Sequence, residues 1–487
     1  MRLHDLLDAT DVLELFNDAP VVVIDVHHDS RSVAPGSLFG CVVGAHADGH
    51  RFAGDAVERG AVALLVERPV PFVVPQARVA SVRRALGPVS ARVHGDPSRR
   101  MPVVGITGTN GKTTTAALLE GIAEAVGLRP AVIGTLGVTF EGATADNPFT
   151  TPEASDLQRT LAALSTSGAG FVVMEVSSHA LAEHRVDGTT FAAVVLTNVT
   201  HEHLDYHGTF EAYFAAKARL FEPEFSSRAV LNLDDARGRE LARRVRATGV
   251  DVISYGIDAP DADVRATDLV ADAGGTRFRL MLRDAVQDVA LGLPGRFNVA
   301  NALAAAATGL ALDIDGAAIA AGLAEVRSVP GRFEPVGPGT PIAVIVDYAH
   351  TPDGITTALG AARAVTPGRV IAVFGCGGDR DAIKRPLMGV AAGRGADVVV
   401  LTSDNPRSED PEVIADAAAA GLHEAGVSFV RELDRRTAIR LAIESAQPGD
   451  TVMLLGKGAE TTQQLADRTV DFDDRVVAAE LLESVCN

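Results

Sequence analysis

The stretch VVGITGTNGKTTTAALLEGI, residues 103–122, decides the fold of this chain. A run of apolar, β-forming residues leads into a glycine-rich turn, and a helix-forming stretch begins near Lys112. Such a turn lets backbone N–H groups surround a phosphate, and the start of the helix adds its positive dipole. Lys112 would reach the outer phosphates, and Thr113 would offer a hydroxyl to Mg²⁺. The spacing differs from the standard G-x-x-x-x-G-K-[ST], so the stretch predicts a variant phosphate-binding loop. Its predicted binding residues are Gly108, Thr109, Asn110, Gly111, Lys112, Thr113 and Thr114.

Short apolar runs alternate with alanine-rich amphipathic stretches on both sides of this loop, as in βα units around a mostly parallel sheet. The predicted buried strands are Val103–Thr107, Phe171–Val176, Ala193–Thr197, Ala229–Leu233, Ile342–Val346, Val370–Phe374, Val398–Thr402 and Val452–Leu455. Helices are predicted to begin near Lys112, Glu153, Phe210, Pro294, Pro352, Pro411 and Arg435. Polar and Pro/Gly-rich stretches at 94–102 and 334–341 predict domain boundaries. We therefore expect an α/β protein of three domains, which are residues 1–99, 100–335 and 336–487.

The composition excludes several classes of protein. Lys and Arg number 44 against 63 Asp and Glu, a net charge of −19, whereas a general nucleic-acid binder needs a basic face. Three scattered cysteines do not suggest a disulfide framework. No apolar run of about 18 residues occurs, and the N-terminus carries acids where a signal peptide needs a basic start. We expect a soluble cytoplasmic protein, a monomer that binds no nucleic acid and does not insert into a membrane.

Only four of the 44 basic residues are lysines, namely Lys112, Lys217, Lys384 and Lys457. An exposed helical lysine is the ordinary interpretation of Lys217. In a chain that uses arginine nearly everywhere, however, a surviving lysine marks a position where a planar, permanently charged guanidinium does not suffice.

A candidate metal site follows the phosphate loop. Glu175 ends an apolar strand, and His203 follows the next strand by a few residues. A carboxylate and an imidazole delivered from adjacent strand ends can share a divalent ion with nucleotide phosphates. For the other histidines of this region, a surface or capping role is at least equally plausible; they are His179, His184, His201 and His207.

The chain resembles the Mur ligases along essentially its whole length. The motifs that carry this resemblance are GTNGKTT, EVSSHAL, HLDYHG, the AAK helix, PGRFNVANALAA, GRFE, DYAHTPD, FGCGGDRD, KRPLMG, DNPR and GKGAE. The resemblance implies a first domain for the UDP-sugar, a central P-loop domain with a parallel sheet for ATP, and a C-terminal Rossmann-like domain for an incoming amino acid.

The resemblance also implies the residues of the reacting centre. Lys217 would react with CO₂ to become a carbamate, which requires a neutral amine that lysine can supply and arginine cannot. The carbamate would join Thr113, Glu175 and His203 as a ligand of Mg²⁺, with two ions expected. The implied catalytic residues are Lys112, Glu175, His203 and Lys217.

The resemblance assigns further residues to the substrates. For ATP these are Asn298 and Asn301 on one helical face, then Arg332, Asp347 and His350. For the UDP-muramoyl-dipeptide they are Ser30 of the HDSR motif, Thr150, Thr151, Ser177 and Arg185. For the amino acid they are Arg380, Asp404, Asn405, Arg407, Gly456 and Glu460. A DNPR motif goes with meso-diaminopimelate in this family, because a bidentate arginine suits its second carboxylate.

Three positions depart from the family pattern: Glu202 replaces the usual Asp, Ala382 replaces a Lys, and Ala459 replaces a His. The last two lie in motifs of the amino-acid site. The implied function is ATP-dependent addition of meso-diaminopimelate to UDP-N-acetylmuramoyl-L-alanyl-D-glutamate through an acyl phosphate. The alternatives are a sibling ligase for L-lysine or another diamine, a folylpolyglutamate synthetase-like ligase, a non-catalytic relative, and a GTPase, for which no N-K-x-D motif appears.

Overall fold

The computed structural model describes residues 1–44, 47–272, 274–337 and 339–486. Its first sheet lies near the N-terminus and is parallel except for its first strand, which pairs antiparallel with Gln76–Val79. The strand order is Val12–Phe16, Gln76–Val79, Ala63–Val66, Ser37–Gly40 and Asp25–His27. The helices of this part are Leu3–Leu7, Ala53–Glu58, Val82–Val93 and Pro97–Arg100, with 3₁₀ turns at Ser30–Ser32 and Gly49–Phe52. Apolar side chains cover both faces of the sheet.

The central sheet contains the loop strand Val103–Thr107 in its parallel middle. Antiparallel strands extend it at both edges. Its strand order is Ala285–Leu291, Gly275–Leu282, Val264–Asp272, Asp251–Gly256, Arg228–Asn232, Ala193–Leu196, Val103–Thr107, Phe171–Glu175, Pro130–Gly134, Gly137–Phe140 and Ala143–Ala145.

Helices cover both faces of this sheet. One face packs against Lys112–Ala125, Arg296–Ala311 and Gly316–Glu325. The other packs against Ala154–Thr166, Phe210–Ala218 and Ala236–Arg246. Short helical segments lie at Ser178–Ala182, Leu204–His207 and the 3₁₀ turn Arg219–Phe221. The alanines 302, 304, 305, 306 and 307 of one helix are fully buried, and their small side chains allow this helix to pack closely against the sheet.

The last sheet is parallel except for its first strand. Its order is Glu334–Val336, Ala343–Asp347, Thr451–Leu455, Val370–Phe374, Val398–Leu401 and Phe429–Arg431, with a separate hairpin of Thr462–Gln464 and Thr469–Asp471. The helices are Pro352–Val365, Lys384–Gly395, Pro411–Glu424, Arg435–Ser445 and Asp474–Cys486, and they enclose two apolar clusters. Thr351 and Asp410 each cap a helix that has proline in its first turn. The start of each helix is therefore determined by residues next to it in the sequence.

The predicted α/β class is confirmed, and every predicted strand and helix start is found within two residues. The two domain boundaries stay predictions. The last sheet begins at Glu334, two residues before the predicted start of the third domain. Within the described ranges, no helix combines the length and apolar character that a membrane span requires.

The order of the central strands positions the candidate site. Val103–Thr107 runs parallel between Phe171–Glu175 and Ala193–Leu196. Their carboxyl ends therefore meet at one edge of the sheet, where the phosphate loop begins.

Candidate active site

The phosphate loop fits only with glycine at two of its turns. Gly111 has φ +87°, and a Cβ there would lie 2.3 Å from Oδ1 of Asn301. A Cβ on Gly108 would lie 1.8 Å from Oγ1 of Thr197. The Asn198 carboxamide accepts a hydrogen bond from the backbone N–H of the loop residue 110 at 2.9 Å. The loop is thus held between Asn198, which follows the strand Ala193–Leu196, and Asn301 of the helix Arg296–Ala311.

Two of the four lysines meet inside this loop. Lys112 Nζ donates to the backbone oxygens of Gly108 and Thr109, both at 2.9 Å, and Lys217 Nζ donates to the same Gly108 oxygen at 2.8 Å. Lys217 is only 2% exposed, and its Nζ lies 4.7 Å from the centre of the Tyr213 ring. Burial first, and then the positive charge of Lys112, lower the pKa of Lys217 well below its ordinary value. The lowered pKa favours the neutral form of the Lys217 amine.

Glu175 and Thr113, which were predicted to share a metal, are in direct contact. Thr113 Oγ1 donates to Glu175 Oε1 at 2.9 Å and accepts from Arg332 Nη2 at 2.9 Å. The buried Glu175 also accepts hydrogen bonds from the backbone and side chain of Thr135 at 3.0 and 3.1 Å. The carboxylate is thereby fixed at the end of its strand, and Arg332, which lies two residues before the last sheet, reaches the loop.

His203 lies at the edge of the same site in a left-handed conformation, with φ +56°. Its ring packs against His179 at a centroid distance of 4.6 Å, and its side chain is 41% exposed. Burial is the largest influence on its pKa, and the charges of Lys112 and Lys217 also act to lower it to about 4 despite Glu202. A neutral imidazole is the form that binds a metal.

Two of the predicted donors, the Thr113 hydroxyl and the buried Glu175 carboxylate, are oxygen ligands of the kind that Mg²⁺ prefers. Among the described residues, no group of three or more His, Cys, Asp and Glu is arranged to hold a metal ion by itself. The amine of Lys217 carries no metal-binding oxygen unless it is modified, so a carbamate there would add the missing carboxylate-like donor.

Glu202 is a site residue that stands out in the sequence only because it replaces the aspartate usual in the family. Its carboxylate is nearly enclosed, with Oε1 3.4 Å from His350 Nε2 and Oε2 3.7 Å from His203 Nε2. Burial alone would raise its pKa, but His350, His203 and Lys112 outweigh burial and hold the pKa well below its usual range. Glu202 therefore places a negative charge between the phosphate loop and the last domain. The only signal in the sequence was its position directly before His203, and that position contains no information about His350.

The remaining predicted ATP residues lie around the loop. Asn301 Nδ2 donates to Asn298 Oδ1 at 3.3 Å, and both side chains are buried. Asp347 accepts backbone hydrogen bonds from Phe333 and Ala349 at 2.8 Å, and burial raises the pKa of its carboxyl. His350 accompanies it on the same turn. Contact of these residues with adenine, ribose or phosphate stays a prediction.

A second group of predicted substrate residues surrounds the strand end at Glu175. Thr151 Oγ1 donates to the Glu175 backbone oxygen at 2.9 Å and accepts from the Ser177 N–H at 3.0 Å. Thr150 Oγ1 lies 3.4 Å from Thr135 Oγ1. Arg185 is paired with Glu153 at 3.0 Å, so this arginine already has a carboxylate partner. The two threonines and Ser177 therefore form a polar wall next to the predicted metal position.

Ser30 belongs to the first domain, in the turn Ser30–Ser32. Two residues before it, His28 Nδ1 lies 2.9 Å from Ser155 Oγ, at the start of the helix Ala154–Thr166. On the same helix, Arg159 is paired with Asp25 at 3.1 Å. These contacts join the turn to the central domain, whereas binding of the uridine end by Ser30 stays a prediction.

In the last domain, the DNPR and GKGAE motifs are in contact. Asn405 Nδ2 donates to Glu460 Oε2 at 2.8 Å. Gly456 has φ +113°, and a Cβ there would lie 2.5 Å from Oδ2 of Asp404. Burial raises the pKa of the Asp404 carboxyl. Asp404, Asn405, Gly456 and Glu460, which were predicted together, thus form one cluster.

Arg407 is held so that part of its guanidinium stays available. Its Nη1 donates to the Gly378 oxygen at 2.7 Å, and its Nε donates to Gln464 Oε1 at 3.0 Å. Nη2 has no protein partner among the described residues. Arg380 is exposed and donates to the neighbouring Asp379 oxygen. Gln464 lies in the hairpin after GKGAE and was not predicted, because a glutamine carries no signal of its own in a sequence.

Comparisons with known proteins agree with this architecture. The chain matches the family described as Mur ligase middle domain over residues 106–309, the Mur ligase glutamate ligase domain over 331–458, and the Mur ligase family catalytic domain over 24–94. It is 46% identical to a UDP-N-acetylmuramoyl-L-alanyl-D-glutamate–2,6-diaminopimelate ligase of Solibacter usitatus, over 96% of this chain and 94% of that protein. The ligase of the same name from Geobacillus thermodenitrificans is 44% identical, over 98% of both chains.

A solved structure of a ligase with this name has the same fold. It superposes with a TM-score of 0.72 at 32% identity and covers 100% of this chain and 99% of that one.

Proposed function

The chain belongs to the Mur ligase family, and from this premise we propose that it adds meso-diaminopimelate to UDP-N-acetylmuramoyl-L-alanyl-D-glutamate, with ATP as the energy source. It is an ATP-dependent ligase of peptidoglycan precursor synthesis. The relatives that carry this name align over nearly the full length of the chain. A folylpolyglutamate synthetase-like activity is therefore disfavoured.

One observation carries the choice of amino acid. Arg407 and Glu460 belong to one cluster, joined through Asn405 and the hairpin that contains Gln464. Meso-diaminopimelate has a carboxylate and an ammonium group at its far end, whereas L-lysine has only the ammonium. A guanidinium for the carboxylate and a carboxylate for the ammonium match that end group by charge.

The reaction would begin with the transfer of the ATP γ-phosphate to the carboxylate of the D-glutamyl end. Both reactants are anionic, so the step requires positive charge between them, and Lys112 with its helix N-terminus supplies part of it. Mg²⁺, when bound by Thr113, Glu175, His203 and carbamylated Lys217, supplies the rest of the charge. The amine of the amino acid would then attack the acyl phosphate, form the amide bond and release inorganic phosphate.

Carbamylation of Lys217 is part of this proposal. The neutral amine would add to CO₂, forming an N–C bond and releasing a proton, and the product carries a carboxylate-like group. The lowered pKa of Lys217 supports it, because only the unprotonated amine can react.

Contacts between domains support a reaction shielded from water. Asp353 of the last domain accepts hydrogen bonds from Asn110 and Thr200 at 3.2 and 3.3 Å. An acyl phosphate hydrolyses in water, so we propose that the last domain closes over the loop before chemistry. Small-angle scattering profiles that stay the same with an ATP analogue and the UDP-dipeptide would contradict this closure.

We also propose that the protein works as a monomer in the cytoplasm. The two cysteines whose side chains are described, Cys41 and Cys376, are both free and buried, in agreement with a reducing compartment. Its partners are then its small-molecule substrates. Sedimentation of the purified protein would test the monomer.

A phosphate-release assay tests the proposed function. The UDP-dipeptide and ATP are supplied with meso-diaminopimelate, L-lysine or L-ornithine in parallel reactions. We expect turnover with meso-diaminopimelate and at most a few per cent of that kcat/KM with the other two, since Arg407 would be left without a carboxylate partner and the loss of such a charge pair costs about 2–5 kcal/mol. Turnover with lysine alone would contradict the assignment of the amino acid. Tight ATP binding without turnover on any amino acid would indicate a non-catalytic relative.

Glu202→Gln is expected to lower kcat/KM for ATP by about ten- to a hundredfold. The substitution keeps the size of the side chain but removes the charge that faces His350, His203 and Lys112, and a hydrogen bond to a charged group is worth about 1.5–3 kcal/mol. Steady-state kinetics with varied ATP measures the effect. Glu202→Asp is the control, because it keeps the charge, and its kcat/KM should stay within a few-fold of wild type. Equal activity of the Gln and Asp variants would show that the charge has no role.

A further inference from the structure

Lys457 is a fully buried lysine that takes no part in the proposed reaction. Its side chain is 0% exposed, and its Nζ donates to Glu460 Oε2 at 3.2 Å and to the backbone oxygen of Thr462 at 2.6 Å. Burial of a lysine side chain is costly unless charged or polar partners surround its amine, and these two contacts supply such partners. Both partners belong to the amino-acid site or to the first strand of the adjoining hairpin.

The carboxylate that Lys457 contacts is held on one side only. Glu460 Oε2 accepts from Lys457 Nζ and also from Asn405 Nδ2 at 2.8 Å. Across the described ranges, Oε1 of the same carboxylate has no hydrogen-bond partner, and the Glu460 side chain is 37% exposed. Because both donors bind Oε2, they fix the orientation of the Glu460 carboxylate and leave Oε1 pointing away from them.

We propose that Lys457 is a positioning residue for the amino acid, and this inference rests on the proposed function. Lys457 and Asn405 together hold Oε2 of Glu460, so that Oε1 is presented to the ammonium group at the far end of the incoming diamino acid. Lys457 does not touch the substrate. It acts through Glu460. Because the carboxylate is already held in one orientation, it loses less rotational entropy when the amino acid binds.

The geometry also accounts for lysine rather than arginine at this position. The backbone passes through Gly456 at φ +113° and Gly458 at φ +52°, so the chain turns tightly on both sides of residue 457. A single ammonium can reach a carboxylate three residues ahead and a carbonyl five residues ahead within one buried space. The planar guanidinium is larger and offers its donors in a fixed fork, which does not suit two acceptors at such different directions.

Lys457→Gln tests the inference. We expect KM for meso-diaminopimelate to rise about tenfold, while KM for ATP and for the UDP-dipeptide and kcat stay within about threefold of wild type. Arg436→Gln is the matched control, because it removes one positive charge from an exposed ion pair with Glu480 in the same domain, and its KM values should not change. A lysine that only stabilises the fold would alter all three KM values or none. An unchanged KM for meso-diaminopimelate in folded Lys457→Gln would overturn the proposal.

A double-mutant cycle with Glu460→Ala separates positioning from a direct role. In the Glu460→Ala background, adding Lys457→Gln should change KM for meso-diaminopimelate by less than twofold, because the group that Lys457 positions is absent. A further tenfold rise in that background would overturn the proposal. Absence of wild-type turnover with meso-diaminopimelate would instead contradict the proposed function, so the two failures are distinguishable.

A measurement on the wild-type protein covers the case in which Lys457→Gln does not fold. The chain has only four lysines, so ¹³C-lysine labelling yields four side-chain signals. Lys384→Gln, Lys112→Gln and Lys217→Gln each remove one signal and leave that of Lys457. We expect this signal to shift when meso-diaminopimelate is added to the complex with an ATP analogue and the UDP-dipeptide, and to stay constant in Glu460→Ala. A constant signal in the wild type would overturn the proposal.

Discussion

Lys217→Ala is expected to lower kcat of the ligase by about a hundred- to a thousandfold. The substitution removes the buried amine that lies on the Gly108 carbonyl beside Lys112, and with it the proposed carbamate ligand of Mg²⁺. Loss of one group that stabilises developing charge in an enclosed site costs about 2.7–4 kcal/mol. A phosphate-release assay at saturating substrates measures kcat, and circular dichroism checks the fold.

Chemical rescue and two further variants make this test specific to the carbamate. Formate or acetate should restore part of the activity of Lys217→Ala, because a small carboxylate can occupy the space that the side chain leaves. Lys217→Arg keeps a positive charge but cannot be carbamylated, and it should be as inactive as the alanine variant. Arg243→Ala, which removes an exposed positive charge from the same domain as Lys217, should keep wild-type kcat. Near-normal activity of Lys217→Arg would rule out a carbamate.

Arg407→Lys is expected to lower kcat/KM for meso-diaminopimelate by about a hundred- to a thousandfold. The guanidinium is anchored by the Gly378 oxygen and by Gln464, which leaves Nη2 free to complete a bidentate contact with the second carboxylate of the substrate. An ammonium cannot make both the anchoring contacts and the bidentate contact, and loss of such a pair costs about 2–5 kcal/mol. Kinetics with varied amino acid measure the effect.

The control for this prediction is Arg380→Lys. Arg380 is exposed, so the same exchange should lower kcat/KM by less than about tenfold. Gln464→Ala removes one anchor of Arg407 and is expected to have an intermediate effect. If Arg407→Lys discriminates against L-lysine as strongly as the wild type does, Arg407 does not read the second carboxylate.

The parallel strands were accessible from the sequence. Val103–Thr107 and Val370–Phe374 have their predicted bounds, because a strand covered on both faces reads as a continuous apolar run. The antiparallel strands Val264–Asp272 and Gly275–Leu282 alternate polar and apolar residues, with arginines and Asp268 on the outer face, and this pattern is a weaker signal than a continuous apolar run. The strands of the first domain are three to five residues long, which is too short for a distinct alternation of polar and apolar residues.

The candidate site was accessible only in part. Gly108, Lys112 and Thr113 follow from local chemistry, because a strand, a glycine turn and a helix start lie within one short stretch. Glu202 became visible only when His350, from another domain, was found 3.4 Å away. Lys457 belongs to a motif, yet its role depends on which oxygen of Glu460 it touches, and a motif contains no such information.

The sequence by itself therefore determined the conformation of the loop that is predicted to bind phosphate, since glycine conformations and the start of a helix depend on neighbouring residues. Tertiary structure alone decided the contact that Lys217 makes and the direction in which its pKa is shifted. The contact between its Nζ and the Gly108 oxygen joins residues 109 positions apart, and its pKa is lowered by burial and by a second lysine on that oxygen. A pKa depends on solvent exclusion and on charges within a few ångströms, and folding is what brings these together.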